Sequence, residues 1–591
     1  MKTNSFCGRV VKTVLVFLGL SLSFALFATE GWRNGEREPL WPEGKIPDFQ
    51  SHQIGAMTDE VSTAAGWRAA HQMPYLEWFE APAKPNGGCM ILVSGGSYQC
   101  CCDVGLVKQW KETFTKLGYQ TVNLVYRTPR ANNAPFYRTG WQDGQRAVRL
   151  VRSEAKKRGF DPEKIGVIGM SAGGHLVTML ATSALTPAYA KVDALDEMPC
   201  HVNWCIANAP AYNSVAAAKG GVAAPQDGTT QPASGVADCF AFDAKTCPIS
   251  FHHGAADPYT PNGSARCYRE LRKRKIPGEL HLYADKPHGA FGLERAVEFM
   301  NQMQFCTKLE PEVKLMDRYP NDDARASYEK ENVWPEGKMP DAQAHQCAPY
   351  LEWHLPKTLK TKAIQVIYSG GSYQNNGPDG FEVAPMRRYL NEKGMTVVTM
   401  KYRTPRPKDL PKHVTAWQDL QRAIRIVRSK AAEKGLDPDR IGIMGSSAGG
   451  HLTLMGVTSS QTPAYEAIDE LDEIPCKVQW GIAIYPAYAL TDGLEQPNRQ
   501  GGNEDDSVLA PEFKFDSDTC PTCFIHGDAD GWAAMNSVKT WEKMRTMGVQ
   551  SELHTLALRN HCFQAKASPG TGSFTWMDRV WDFLSSKKYN R

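Results

Sequence analysis

Two serines stand in the pentapeptide Gly-x-Ser-x-Gly: Ser171 between Gly169 and Gly173, and Ser447 between Gly445 and Gly449. Each follows an apolar run, Ile165-Gly-Val-Ile or Ile441-Gly-Ile-Met, which predicts a strand that turns sharply into a helix. The strained turn lifts the hydroxyl clear, and only residues without a Cβ fit beside it. A serine hydroxyl is a poor nucleophile at neutral pH and needs a base that takes its proton during attack. His288 and His561 can do this. The base in turn needs a carboxylate to fix its tautomer and stabilise the imidazolium, a part that fits Asp257 in His253-Gly-Ala-Ala-Asp257 and Asp530 in His526-Gly-Asp-Ala-Asp530. Both sets run in the order Ser, Asp, His, and in both the histidine follows the acid by 31 residues. Asp528 competes with Asp530, but its counterpart in the first set is Ala255, which cannot orient an imidazole, so Asp530 is preferred. His252, His253 and His526 are read as structural, with side chains that precede the acid rather than face it. His175 and His451, one turn into the helix after each serine, are assigned to packing or to hydrogen bonding behind it.

A developing oxyanion needs amide donors. The turns Ser94-Gly-Gly-Ser-Tyr98 and Ser369-Gly-Gly-Ser-Tyr373 follow early strands and can bring exposed amides close. The expected donors are Gly95 and Gly96 with Ala172, and Gly370 and Gly371 with Ala448.

These residues imply a scaffold written twice. Trp41-Pro-Glu-Gly-Lys returns at Trp334, Pro74-Tyr-Leu-Glu-Trp at Pro349, Tyr126-Arg-Thr-Pro-Arg at Tyr402, and Trp141-Gln-Asp at Trp417. The spacing holds at 276 residues from Tyr126 to Pro210 and is 273 by Asp257 and His288. Each unit is long enough to bury its own core. Within them, short apolar runs bounded by glycine (Cys89–Val93, Thr121–Tyr126, Ile165–Ile168) predict buried strands. Trp417, Leu420, Ile424 and Val427 recur at helical spacing. Alternating strands and helices predict an α/β fold, a mostly parallel sheet with helices on both faces and function at the carboxyl ends of the strands. The domains expected are 29–310 and 334–591, joined by a charged linker over 311–333. Two irregular stretches, Ala216 to Ala237 and Asp492 to Asp506, are read as variable loops over one face.

Composition bounds the rest. The 591 residues are 42% apolar and 22% charged with a formal net charge of +3, which excludes a disordered, collagenous or coiled-coil chain and a nucleic-acid footprint. Lys2, Arg9 and Lys12 precede an apolar stretch from Val14 to Phe27, too short for a span, so residues 1–28 are expected to be a cleaved signal peptide and the product secreted or periplasmic. No other segment is apolar for long enough to cross a bilayer. Of 16 cysteines, Cys7 leaves with the signal; disulfides are compatible with export, and the odd remainder leaves at least one thiol unpaired. Cys-x-x-Cys occurs once, at Cys520 and Cys523, without the second pair that a structural zinc site needs. No metal and no cofactor are expected.

The Gly-Gly turn, Tyr-Arg-Thr-Pro-Arg, Trp-Gln-Asp and Gly-x-Ser-Ala-Gly-Gly-His-Leu together resemble the α/β-hydrolase superfamily, and within it the acetyl esterase/lipase group with its bacterial acetylxylan and feruloyl esterases. The resemblance covers nearly the whole chain after residue 28, twice. It implies two tandem α/β-hydrolase domains, with Ser171, Asp257 and His288, and Ser447, Asp530 and His561, as triads acting on a carbohydrate-linked acetyl or feruloyl ester. Two departures are visible: Ser94 and Ser369 stand where relatives often have His, and Cys562 follows the second histidine where Gly289 follows the first. Other functions compatible with the residues are an exopeptidase or lipase with the same triad, or a secreted binding protein on hydrolase scaffolds.

Overall fold

The structure, a computed structural model, describes residues 35–53, 74–102, 104–214, 235–318, 329–491 and 507–591. The expected signal peptide, most of the two loops after Pro210-Ala-Tyr and Pro486-Ala-Tyr, and residues 319–328 of the expected linker lie outside them. The chain falls into two compact units, one holding residues up to Cys205 with Asp243–Lys245, the other Ile206–Phe242 with Thr246–Arg591.

In the first unit, β1 (Glu36–Pro39), β2 (Tyr75–Trp78), β3 (Cys89–Val93), β4 (Gln120–Val125) and β5 (Ile165–Met170) lie in the order β1-β2-β4-β3-β5. β3 runs parallel to β4 and β5, while β2 is antiparallel to β4 and to β1. Every residue of β3 is buried, as expected of a parallel strand covered on both faces. β6 (Trp204–Asn208) carries the chain into the second unit.

There the strands are β7 (Ile249–Gly254), β8 (Gly278–Tyr283), β9 (Val313–Lys314), β10 (Lys330–Asn332), β11 (Tyr350–His354), β12 (Ile364–Tyr368), β13 (Thr396–Lys401), β14 (Ile441–Ser446), β15 (Trp480–Ile484), β16 (Thr522–Gly527), β17 (Glu552–Leu556) and β18 (Lys566–Ala567). Their order is β7-β8-β17-β16-β15-β14-β12-β13-β11-β10, in which β11-β13-β12-β14 repeats the crossing of β2-β4-β3-β5. From β17 to β13 all pairs are parallel. In the stretch read as linker, β9 pairs with β18 and Leu315 is buried.

The motifs that recur without catalytic chemistry hold this scaffold together. Asp419 of Trp-Gln-Asp is buried and accepts from the Arg403 amide at 2.8 Å, from Arg403 Nε at 2.9 Å and from Trp334 Nε1 at 2.7 Å. Arg403 also donates to Gln418 Oε1 at 2.8 Å and to the Thr415 carbonyl at 3.0 Å. One arginine thus ties the end of β13 to the helix Val414–Ala431 and to the segment around Trp334. Arg127, Asp143 and Trp41 make the same node in the first unit.

β8 and β17 pair antiparallel, with Leu282 opposite Leu553 and His281 opposite His554. The Nδ1 atoms of the two histidines are 2.9 Å apart, and their Nε2 atoms each lie 2.8 Å from a carboxylate, Glu279 for His281 and Glu552 for His554. Beside them Arg272 reaches the Asp528 carbonyl and Arg545 the Ala255 carbonyl.

Candidate functional site

Ser447 occupies the turn between β14 and the helix Ala448–Thr458 with φ 55° and ψ −117°, a conformation that non-glycine residues rarely adopt. The flanking glycines permit it. A Cβ on Gly445 would collide with the Gly449 carbonyl, and one on Gly449 would come within 2.7 Å of the Ser369 carbonyl. Backbone therefore passes too closely for any side chain at those positions.

Two neighbouring strand ends supply its partners. After β17, His561 places Nε2 at 2.8 Å from Ser447 Oγ and Nδ1 at 2.8 Å from Asp530 Oδ2. Asp530, after β16, is fully buried and also accepts from the Trp532 amide at 2.8 Å. Burial alone would raise its pKa, but the imidazoles of His526 and His561 beside it outweigh this and hold the carboxyl below the usual range. It stays ionised opposite the imidazole. Asp528 points elsewhere, bonding Tyr268 Oη at 2.6 Å, Arg272 at 3.1 Å and the Gly278 amide at 3.2 Å. His526 departs from expectation: its Nε2 faces Asp530 Oδ2 at 3.4 Å, because the turn from Gly527 to Asp530 folds the acid back over the strand end. Its Nδ1 is 2.8 Å from Ser537 Oγ, so it buttresses the acid from behind. Desolvation lowers its pKa.

In the first set of residues, Ser171 repeats the strained turn at φ 57° and ψ −119°. His288 Nδ1 lies 2.7 Å from Asp257 Oδ2, and His253 Nε2 lies 3.1 Å from the same oxygen, again facing the acid. The Tyr259 amide donates to Asp257 Oδ1 at 2.8 Å. The Asp257 pKa is lowered for the same reasons as that of Asp530. Ser171 belongs to the first compact unit, and Asp257 and His288 to the second.

Of the expected oxyanion donors, Ala172 and Ala448 open the helices after the serines, and Gly95, Gly96 and Gly371 lie in the turns after β3 and β12. Gly370 departs from the expectation: its N–H is taken by Glu382 Oε2 at 2.9 Å. The Tyr402 hydroxyl lies 3.0 Å from the Ser369 carbonyl and 2.9 Å from the Gly370 carbonyl, its one proton shared between them. In a trans peptide the N–H points opposite to the C=O. Fixing the Gly370 carbonyl therefore turns the Gly371 amide away from Tyr402. Sequence reasoning did not single out Glu382, nor Tyr485, whose ring meets His561 edge-on at 4.6 Å between centroids. The signal available was the mismatch between the halves at these positions.

Residues 80–219 and 351–543 match the BD-FAE family, together more than half of the chain. The chain belongs to the BD-FAE family. Among curated proteins it is similar to "Probable carboxylic ester hydrolase LipM" of Mycobacterium tuberculosis, 29% identical over 141 residues, 24% of this chain and 31% of that protein. It is also similar to an acetylxylan esterase of Xylanibacter ruminicola, 25% identical over 228 residues, 35% of this chain and 42% of that protein. The matched part spans less than half the length of these relatives. Among solved structures it resembles an acetyl ester-xyloside bifunctional hydrolase from Caldicellulosiruptor lactoaceticus, with a TM-score of 0.36 and 22% identity, covering 44% of this chain and 97% of that one.

Two clusters among the described residues have metal-ligating composition, His413 with His451 and Glu512, and Cys523 with Glu552 and His554. In both, histidine and carboxylate are already hydrogen-bonded, His451 Nε2 to Glu512 at 2.9 Å and His554 Nε2 to Glu552 at 2.8 Å. His451 Nδ1 is 2.8 Å from Tyr373 Oη, so it braces the turn of the expected oxyanion donors from beneath.

Proposed function

We propose that this BD-FAE family member is a secreted or periplasmic serine esterase with two hydrolase domains in tandem, 29–310 and 334–591, each carrying its own active site. The observation that carries the reading is the continuous chain Ser447–His561–Asp530, with both links at 2.8 Å. His561 Nε2 takes the proton from Ser447 Oγ as that oxygen attacks the ester carbonyl, and Asp530 stabilises the resulting imidazolium. The amides of Gly371 and Ala448 stabilise the tetrahedral oxyanion. Collapse expels the alcohol, protonated by His561, and leaves an acyl-enzyme on Ser447. Water activated by the same histidine then releases the acid. In the first domain Ser171, His288 and Asp257 take these parts, with Gly95, Gly96 and Ala172 as oxyanion donors.

The substrate we favour is an acetyl or feruloyl ester on a polysaccharide or its oligomers, supported by the acetylxylan esterase among the relatives. The test is labelling of the full chain by a fluorophosphonate together with turnover on nitrophenyl acetate and on acetylated and feruloylated xylans. Labelling with release of acetate or ferulate is expected; no labelling and no turnover on any of these esters would mean a binding protein on hydrolase scaffolds.

A further inference from the structure

The two halves keep the same serine, acid and base but differ as a group in what lies behind them. In the second half Glu382 sends Oε2 to the Gly370 amide at 2.9 Å and Oε1 to within 3.0 Å of the Tyr485 hydroxyl. The same hydroxyl lies 2.7 Å from Gln564 Oε1, and Ser446 Oγ donates to that oxygen at 3.3 Å. This belt passes directly behind the reacting groups. Tyr485 packs edge-on against His561, Gln564 lies three residues after it, Ser446 precedes the nucleophile, and Gly370 abuts Ser447 so closely that an added Cβ would lie 2.7 Å from the serine Cβ.

At the 276-residue spacing that relates Gly118 to Gly394 and Tyr126 to Tyr402, the counterparts of Glu382, Ser446 and Tyr485 are Leu106, Met170 and Ala209. At the 273-residue spacing that relates His288 to His561, the counterpart of Gln564 is Phe291. Four polar residues in contact thus face four apolar ones at matching positions. Polar groups withdrawn from water need partners, and Glu382, Tyr485, Ser446 and Gln564 Oε1 find theirs within the set, while Gln564 Nε2 is buried without one. The joint replacement is what a working unit requires.

We propose that Glu382 is a positioning residue of the second site. It holds the Gly370 amide while Tyr402 holds the Gly370 carbonyl, so that the next amide, that of Gly371, is kept aimed at the oxyanion. Tyr485 and Gln564 hold Glu382 in place. The proposal rests on the esterase reading above. Donors fixed in advance stabilise the transition state without reorganising. Loosening them lowers kcat and leaves ground-state binding unchanged.

The test uses the full chain with Ser171→Ala, so that only Ser447 reports, and nitrophenyl acetate as substrate. Glu382→Leu, which copies the first half, is expected to lower kcat by tenfold or more with KM within twofold. Glu382→Gln keeps an acceptor for the Gly370 amide and is expected to recover most of the rate. Both variants are compared at equal thermal midpoints. A Leu variant within twofold of the parent in kcat, or a loss that Gln does not recover, would overturn the proposal. Failure of the Ser171→Ala parent itself to turn over would count against the esterase reading instead.

Discussion

Asp528 and Asp530 are two residues apart and both buried, yet they serve different neighbours. Asp530 faces two imidazoles and has its pKa lowered by them. Asp528 faces Arg272 and Tyr268 next to the β8–β17 pair, and its pKa is raised because burial outweighs Arg272. In a Ser171→Ala background, Asp530→Asn is expected to reduce esterase turnover by about four orders of magnitude, the size of effect seen when a triad acid is neutralised. Asp528→Asn is expected to leave turnover within about tenfold, a barrier change of about 1.4 kcal/mol, and to lower the thermal midpoint instead. Measuring kcat and thermal midpoint for both variants separates the roles; the reverse ranking would contradict them.

At the scale of elements, the two Gly-x-Ser-x-Gly turns were legible because their backbone geometry leaves a local signature. Gly445 and Gly449 are required by crossing backbone, and that requirement is written in five consecutive residues. The strand runs at Cys89–Val93 and Ile165–Ile168 were legible because parallel strands buried on both faces read as unbroken apolar stretches. The β8–β17 pair was not, since pairing between segments more than 260 residues apart leaves no local pattern. Nor was the way His526 and His253 face their acids, which depends on the tightness of one turn. The recurring Tyr-Arg-Thr-Pro-Arg and Trp-Gln-Asp motifs were visible, but their meaning was not: a single buried arginine–aspartate pair, Arg403 with Asp419, joins three segments. Removing one partner of such a pair strands the other charge away from water. Asp419→Asn is therefore expected to cost about 3 to 5 kcal/mol of unfolding free energy. Urea denaturation would measure it, and a loss below about 1 kcal/mol would show that the node does not hold the fold.

Across the whole molecule, the two halves of the sequence repeat one plan. Each serine adopts the same strained conformation, each acid binds its histidine at 2.7 or 2.8 Å, and each is backed by a second histidine. The belt of Glu382, Tyr485, Gln564 and Ser446 distinguishes the second from the first. If both sites hydrolyse esters independently, neither serine alone is indispensable. The most direct measurement is the turnover of nitrophenyl acetate by the full chain carrying Ser171→Ala, Ser447→Ala, or both. Each single variant is predicted to retain the activity of the remaining site, the two residual rates adding to about that of the parent, and the double variant to lose nearly all of it. Complete inactivation by either single substitution, or substantial turnover by the double variant, would contradict two independent serine sites.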